Sequence, residues 1–292
     1  MRLNKEELCS KKLQQKFDKV ANTFNQSNFV HKITGKGLFN RLDLIKNNPN
    51  VIIDLGGGTG LSSLLLKKTY KNAKIIAIDI SSKSLAYAQR KLDEYQIKNV
   101  KLIQMDILDI EILKEKFDII ECVGVLHHMD NPLKGLKVLL KVLKNNGFLK
   151  LGLYSEIARQ AIVEAREYIT TKNFQPKDED IKNFREDVFS GKIEQISNLR
   201  NWGNFYTMSE CRDLCFNTQE HRFTINQLQE TLKSNKLKFL GFLLQQPIKY
   251  LYKKYFPEDH TQTNLQNWET FEKQHPTTFA SMYQFWVSKI SI

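Results

Sequence analysis

Short apolar runs alternate with segments of helical period between residues 50 and 154 of the chain. Strands that alternate with helices of about ten or more residues are typical of βαβ units, in which a parallel sheet is covered by helices on both faces. Ligands of such folds bind beyond the carboxyl ends of the strands. The apolar runs that predict strands are VIIDL (51–55), AKIIAIDI (73–80), VKLIQMDI (100–107), FDIIECVGV (117–125) and GFLKLGLY (147–154).

The pattern changes after Tyr154. Residues 155–223 are mostly amphipathic and helical, and Thr224 is placed to cap a further helix. Two aromatic-rich runs, KLKFLGFLL (236–244) and MYQFWVSKI (282–290), predict two more strands, and the proline-containing stretch between them predicts an irregular excursion. The expected fold class is α/β: a Rossmann-like, doubly wound, mostly parallel seven-stranded sheet with a helical insertion after the fifth strand.

This reading divides the chain into four parts. Residues 1–49 form a helical lead-in, residues 50–154 a ligand-binding Rossmann-like core, residues 155–223 the insertion, which is expected to act as a lid over the substrate, and residues 224–292 the completion of the sheet. No apolar run approaches the roughly 20 residues that span a bilayer, and no targeting segment is evident, so we expect a cytoplasmic protein without a membrane span.

The net charge of +12 raises the question of a nucleic-acid partner. Only nine of the basic residues are arginine, and the lysines are spread along the chain, so nucleic-acid binding is possible but not favoured. Cys211 and Cys215 lie four residues apart with only His221 close by, which is too few ligands for zinc. We therefore expect buried, reduced thiols and no metal.

The stretch VIIDLGGGTG (51–60) places four glycines directly behind the first strand. Glycines permit positive φ and leave room for a ligand, and the free N–H groups of the helix that follows complete a cradle for polar groups. A dinucleotide site would require GxGxxG, but counting from Gly56 the third glycine falls at Leu61. The observed pattern is DxGxGxG, from Asp54 through Gly56 and Gly58 to Gly60.

That pattern resembles the first motif of class I S-adenosylmethionine-dependent methyltransferases. The resemblance implies that Asp54, Gly56, Gly58 and Gly60 hold the methionine end of S-adenosylmethionine. It further implies that Asp79, with Ile80 beside it, binds the ribose hydroxyls, that Asp106 and Ile107 receive the adenine, and that Cys122 and His127 of CVGVLHHM (122–129) line the cavity under the sulfonium.

Other stretches carry a narrower resemblance. GLYSEIARQAIVEAR (152–166), SECRDLCFNTQEHRFT (209–224) and FASMYQFWVSKI (279–290) are similar to the catalytic module of bacterial methyltransferases often joined to tetratricopeptide repeats, a likeness that covers about residues 50–290. KVANTFNQSNFVHK (19–32) is instead similar to malonyl-carrier O-methyltransferases. Together they imply methyl transfer to a protein side chain or small-molecule acceptor. Open alternatives are a carrier-bound carboxylate, a tRNA nucleoside, and a non-catalytic partner subunit; the oligomeric state is not predicted.

Methyl transfer requires an aligned nucleophile and, for an amine or hydroxyl, a proton acceptor. The candidate catalytic residues are His128, Tyr154 and Glu156, which follow the fourth and fifth predicted strands. Arg159, Arg212 and Arg222 either clamp an acidic substrate or pair with Glu210, Asp213 or Glu220 within the insertion, and the pairing is favoured. Tyr283 is the one aromatic residue of the last strand considered for the pocket.

Overall fold

The computed structural model describes residues 48–57, 60–216, 219–279 and 282–290. The predicted lead-in, residues 1–49, therefore lies almost entirely outside the described residues, and so does Gly58. None of the helices in the described part of the chain is long and apolar enough to cross a bilayer.

Every strand predicted from the apolar runs is present, and one further strand of two residues occurs. The strands are β1 (Val51–Leu55), β2 (Lys74–Asp79), β3 (Val100–Gln104), β4 (Phe117–Val123), β5 (Leu143–Ser155), the short β6 (Arg222–Phe223), β7 (Leu237–Phe242) and β8 (Met282–Lys289).

All of these strands belong to one sheet with the order β3-β2-β1-β4-β5-β8-β7, and β6 pairs with the end of β5. The pairs between β1, β2, β3, β4 and β5 are parallel, whereas β8 runs antiparallel to both β5 and β7. The expected mostly parallel, doubly wound sheet is confirmed. Since β1 to β5 run in one direction, their carboxyl ends meet along one edge of the sheet.

Helices connect the strands as the periodicity indicates. They are α1 (Leu61–Thr69), α2 (Ser82–Glu94), α3 (Pro132–Val142), α4 (Gln160–Thr171), α5 (Asp178–Phe189), α6 (Met208–Cys215), α7 (Ile225–Ser234), α8 (Gln246–Tyr255) and α9 (Leu265–Gln274). The predicted cap is also present. The Thr224 side chain accepts a hydrogen bond from the Gln227 backbone amide, and the Gln227 side chain accepts one from the Thr224 backbone amide.

The expectation of an irregular excursion between β7 and β8 is wrong, since this stretch contains α8 and α9. Proline is tolerated in the first turn of a helix, where Pro247 lies, and Asn264 caps α9 by accepting two backbone N–H groups. The two helices pack through stacked rings of Tyr252 and Trp268, whose centroids lie 3.7 Å apart. This buried aromatic contact stabilises two helices that the sequence pattern did not predict.

The sheet separates two apolar clusters. The larger contains Ile53 and Leu55 of β1 with residues of α3, α7 and α9, whereas the smaller contains Ile52 and the α1 residue Leu66. The helices that follow β5 form a third cluster of their own, built by α4, α5, α6 and the 3₁₀ segments between them. Cys211 and Cys215 are buried, unoxidised members of this third cluster.

Glu272 joins α9 to the sheet although it is almost fully buried. Its carboxylate accepts hydrogen bonds from the hydroxyls of Ser155 (2.6 Å) and Tyr283 (2.7 Å). Tyr283 is fully buried, and its hydroxyl is held by Glu272 of α9. The Ser155 hydroxyl also accepts the Ala158 amide, so this network fixes the point at which the chain leaves β5.

Replacing Glu272 by Ala is expected to lower the free energy of unfolding by about 1–3 kcal/mol, because two buried hydroxyls lose their acceptor. Urea denaturation at neutral pH measures the effect. Glu258, which is exposed, is the matched control, and Glu258→Ala should change the free energy of unfolding by less than about 0.5 kcal/mol. Equal effects of the two substitutions would contradict the assignment of Glu272.

Candidate active site

The glycine turn behind β1 is held tightly by its neighbours. The amides of Gly56 and Gly57 both donate to the carbonyl of Ile78 in β2, at 2.8 and 3.2 Å. Gly56 has a φ of 68°, and a Cβ added there would lie 2.4 Å from Cγ2 of Val125. Gly60, at the start of α1, also has a positive φ of 83°. The turn therefore needs glycine for both its conformation and its space.

Three acidic residues lie at or near the carboxyl ends of three adjacent strands. Asp54 is the second-last residue of β1, Asp79 is the last residue of β2, and Asp106 lies two residues after β3. Asp79 is 8% exposed, and its Oδ1 accepts the Ser81 amide at 2.8 Å. Asp106 accepts the Leu108 amide at 2.9 Å and so caps the 3₁₀ segment Ile107–Leu113. The structure thus brings the three predicted acids to one edge of the sheet.

The apolar residues assigned beside these acids differ in how deeply they are buried. Ile107 is buried and belongs to the main core cluster, and Ile80 is partly exposed. The thiol of Cys122 is fully buried in the same cluster, and burial raises its pKa far above the ordinary value. Any contact that Cys122 makes with a ligand at the edge must therefore use its backbone.

Asp54 is the most deeply buried of the three acids. Its Oδ2 accepts a hydrogen bond of 2.5 Å from the hydroxyl of Ser63 in α1. Burial, together with the negative charge of Glu121 on β4, raises the pKa of Asp54 to about 7. Neither Ser63 nor Glu121 was expected from the sequence, because their approach depends on the packing of α1 and on the pairing of β1 with β4.

His127, His128 and Tyr154 form an aromatic group at the ends of β4 and β5. The His127 and Tyr154 rings stack with centroids 3.8 Å apart, and the two histidine rings meet edge to face at 4.4 Å. Nδ1 of His127 lies 3.3 Å from the Gly152 carbonyl, and no residue of the described chain bonds to its buried Nε2. Burial and the neighbouring His128 hold the pKa of His127 well below its ordinary value, so the ring is neutral at pH 7.

Arg159 closes the other face of Tyr154. Its guanidinium carbon lies 4.0 Å from the centre of the Tyr154 ring, and its nitrogens pair with both carboxylate oxygens of Glu220. Arg166 adds a second contact to Glu220 at 2.9 Å. The expected pairing of Arg159 with Glu220 is confirmed. Although burial opposes it, the two guanidinium groups lower the pKa of Glu220 below the usual value.

The other two arginines pair with partners that the sequence did not indicate. Arg212 pairs with Asp178 of α5. Arg222 in β6 binds the carboxylate of Glu156 at 3.1 Å, while the Glu156 amide donates to the Phe223 carbonyl. The carboxylate of Glu156 is thus engaged by a cation and remains 41% exposed.

The segment Gln219–His221 anchors the end of the insertion to the loop after β4. The His221 amide donates to the His127 carbonyl at 2.8 Å, and the Gln219 carbonyl lies 3.3 Å from Nδ1 of His128. The side-chain amide of Gln219 donates to Asp130 at 2.6 Å. Residues almost a hundred positions apart therefore form one wall. Within the described residues, no group of three or more His, Cys, Asp or Glu could hold a metal ion.

The chain matches a known family over most of its described length. A family model described as a methyltransferase domain matches residues 46–236, which is more than half of the chain. The chain therefore belongs to the methyltransferase-domain family, which confirms the family resemblance to class I S-adenosylmethionine-dependent methyltransferases.

Curated relatives show the same similarity over shorter stretches. An uncharacterised protein of Synechococcus is 32% identical over 204 residues, which is 65% of this chain and 48% of that protein. A malonyl-[acyl-carrier protein] O-methyltransferase of Halalkalibacterium halodurans is 30% identical over 146 residues, 47% of this chain and 52% of that protein. The chain spans about half the length of both relatives.

Solved structures share the fold at lower sequence identity. PKMT2 from Rickettsia typhi superposes with a TM-score of 0.65 at 19% identity, covering 83% of this chain and 49% of that one. Magnesium protoporphyrin IX methyltransferase from Synechocystis, solved with bound S-adenosylmethionine, superposes with a TM-score of 0.56 at 13% identity and covers 99% of both chains. At these identities the likeness establishes the architecture.

Replacing Glu220 by Gln should destabilise the fold by about 3–5 kcal/mol, because buried Arg159 loses its anion. The lowered pKa of Glu220 means that its stabilising effect is present above the unfolded pKa of about 4.3 and is lost as the pH falls towards the folded value. Urea denaturation at pH 7 and pH 4 should show a smaller loss on acidification in Glu220→Gln than in the parent.

Glu156→Gln is the matched control, because its pair with Arg222 is partly exposed and should contribute about 0–1 kcal/mol. A cost at pH 7 as large as that of Glu220→Gln, or an unchanged acid dependence in Glu220→Gln, would contradict the account of the buried pair.

Replacing Gly56 by Ala should cost more than replacing Gly191 by Ala. Both residues have positive φ values, of 68° and 72°, but a Cβ at Gly191 meets no atom within 4 Å. The excess cost at Gly56, about 1–3 kcal/mol in the free energy of unfolding, measures the clash with Val125. Adding Val125→Ala should recover part of this excess in urea denaturation; no recovery would show that the conformation alone matters.

Proposed function

We propose that the chain transfers the methyl group of S-adenosylmethionine to an acceptor bound at the carboxyl edge of the sheet. The observation that carries this proposal is the convergence of a glycine turn lacking room for a side chain with three acids at the ends of β1, β2 and β3. The family assignment supports it. S-adenosylmethionine would supply an electrophilic methyl group, and the chain would bind, orient and desolvate the reactants.

The residues that would hold the cofactor follow from their positions. We assign the methionine end to Asp54, Gly56 and Gly60, because this part of the edge combines a glycine turn with a buried carboxylate, and to Gly58 from its place in the same motif. Asp79 with Ile80 would bind the ribose hydroxyls, and Asp106 with Ile107 the adenine, since these pairs follow β2 and β3 in turn. His127 and the backbone of Cys122 would lie nearest the sulfonium.

On the acceptor side, we assign distinct roles to the three candidate catalytic residues. Nδ1 of His128 lies 3.3 Å from the Gln219 carbonyl, and in the neutral tautomer that donates this hydrogen bond Nε2 would be the proton acceptor. Burial raises the pKa of Tyr154 to about 12, which keeps its phenol protonated and suited to orienting the acceptor. Glu156 is paired with Arg222 and would act on the shape of the pocket.

A carboxylate is the second candidate for the acceptor. Arg159 and Arg166 place two guanidinium groups near Tyr154, where both bind Glu220 and where Asp213 adds a second negative charge. A carboxylate acceptor is already deprotonated at pH 7 and needs no general base. The similarity to a malonyl-[acyl-carrier protein] O-methyltransferase supports the same chemistry.

Asp79→Ala is expected to weaken S-adenosylmethionine binding at least tenfold, or about 1.4 kcal/mol, because the ribose loses a charged acceptor of two hydrogen bonds. Isothermal titration calorimetry measures the affinity. Asp109, an exposed acid of the same edge segment, is the control, and Asp109→Ala should bind as the parent does. An Asp79→Ala affinity equal to that of the parent would reject the ribose assignment.

The acceptor is identified by incubating the protein with methyl-labelled cofactor and cell lysate. Label removed by nuclease would indicate RNA, label removed by protease a protein, and label extracted into organic solvent a small molecule. A methyl ester on a carboxylate releases labelled methanol in mild base, whereas methylated amines retain the label. Cofactor binding without label in any fraction would favour the non-catalytic partner subunit.

A further inference from the structure

A row of charged side chains crosses the middle of the sheet under the glycine turn. Asp54 of β1 lies opposite Glu121 of β4, and Glu121 lies opposite Lys150 of β5. Residues paired in this way lie next to each other on one face of a sheet. Nζ of Lys150 donates to Oε1 of Glu121 at 2.6 Å, and the two side chains are only 4% and 5% exposed.

The row contains two carboxylates and one ammonium group. Charged groups are rarely buried unless each is paired, because removing a charge from water is costly. Lys150 is paired with Glu121. Among the described residues, the other groups that act on Asp54 are the Ser63 hydroxyl and the carboxylate of Asp79. When Asp54 is ionised, the row therefore holds two negative charges and only one positive charge.

We infer that Glu121 and Lys150 are positioning residues that set the charge of Asp54 and thereby make the binding of an amino-acid ligand depend on pH. The inference rests on the proposed function, in which the methionine end of the cofactor lies against Asp54. Both side chains are buried within the sheet. They act through Asp54: Glu121 disfavours its ionised form, and Lys150 favours it.

Ligand binding must then be linked to loss of a proton from Asp54. The pKa of Asp54 in the free protein, about 7, is raised by burial and by Glu121. An ammonium group bound at Asp54 favours the ionised form, so the affinity rises with pH and levels off above the pKa of the free protein. The ligand's own ammonium group begins to lose its proton near pH 8, so the rise in affinity is read below about pH 8.

S-adenosylhomocysteine is a suitable probe because it keeps the ammonium group but has no sulfonium charge. Its affinity, measured by calorimetry between pH 5.5 and 8.5, should rise with a midpoint near the pKa of Asp54. The neutral analogue 5′-methylthioadenosine, which lacks the amino-acid part, should bind with little dependence on pH. A flat profile for S-adenosylhomocysteine overturns the inference while leaving the proposed function intact; failure of both compounds to bind overturns the proposed function itself.

The two positioning residues should move the midpoint in opposite directions. Glu121→Gln removes a like charge and should lower the midpoint by about one pH unit. Lys150→Met removes an opposite charge and should raise the midpoint. Lys144→Met, which breaks a half-exposed ion pair with Asp118 at the other end of the strands, should leave it unchanged. Midpoints that stay fixed, or that shift together, would show that the pair is merely structural.

A second measurement keeps the inference testable if either single variant fails to fold. At pH 7, calorimetry in buffers of different ionisation enthalpy counts the protons released on binding, and the parent should release about half a proton. Asp54→Asn cannot release this proton and should give none. Equal proton release by the parent and Asp54→Asn would overturn the inference.

Discussion

Parallel pairing around β1 is the constraint on which the candidate site depends. Since β1 lies between β2 and β4, the chain must turn sharply behind β1 while neighbouring strands end beside it. The amides of Gly56 and Gly57 are held by β2, and Val125 from the β4 loop occupies the space that a side chain would need. The same pairing brings Asp54 against Glu121. The pairing of β1 with its two neighbours thus shapes the glycine turn and also sets the electrostatic environment of Asp54.

The acceptor side of the site depends on a different kind of contact. Tyr154 is held between an imidazole and a guanidinium group, and the guanidinium is fixed in turn by Glu220. The segment that carries Glu220 is bound to the loop after β4 by backbone hydrogen bonds from His221. The insertion therefore has an apolar core of its own but meets the site through polar contacts. Because Arg159 and Glu220 are buried, moving the insertion away from the site would break a costly ion pair.

Sequence patterns predict the strands well because a buried parallel strand is apolar at consecutive positions, as VIIDL and KIIAID are. The acids at the edge could also be predicted, since each stands at the second-last position of its apolar run, VIIDL, AKIIAIDI or VKLIQMDI. The pair of α8 and α9 was missed because Pro257 and Pro276 suggest irregular backbone, whereas both lie outside the helices. The charged row could not be predicted either: Glu121 and Lys150 are 29 residues apart and meet only through strand register.

The position of β8 has a consequence for biosynthesis. β7 emerges from the ribosome before β8 does, but it contacts the sheet only by pairing with β8, which separates it from β5. Until residues 282–289 have been translated, the exposed side of β5 has no partner from this region and β7 has no strand to join. A nascent chain therefore carries an unpaired sheet edge until β8 has emerged, the condition under which aggregation competes with folding.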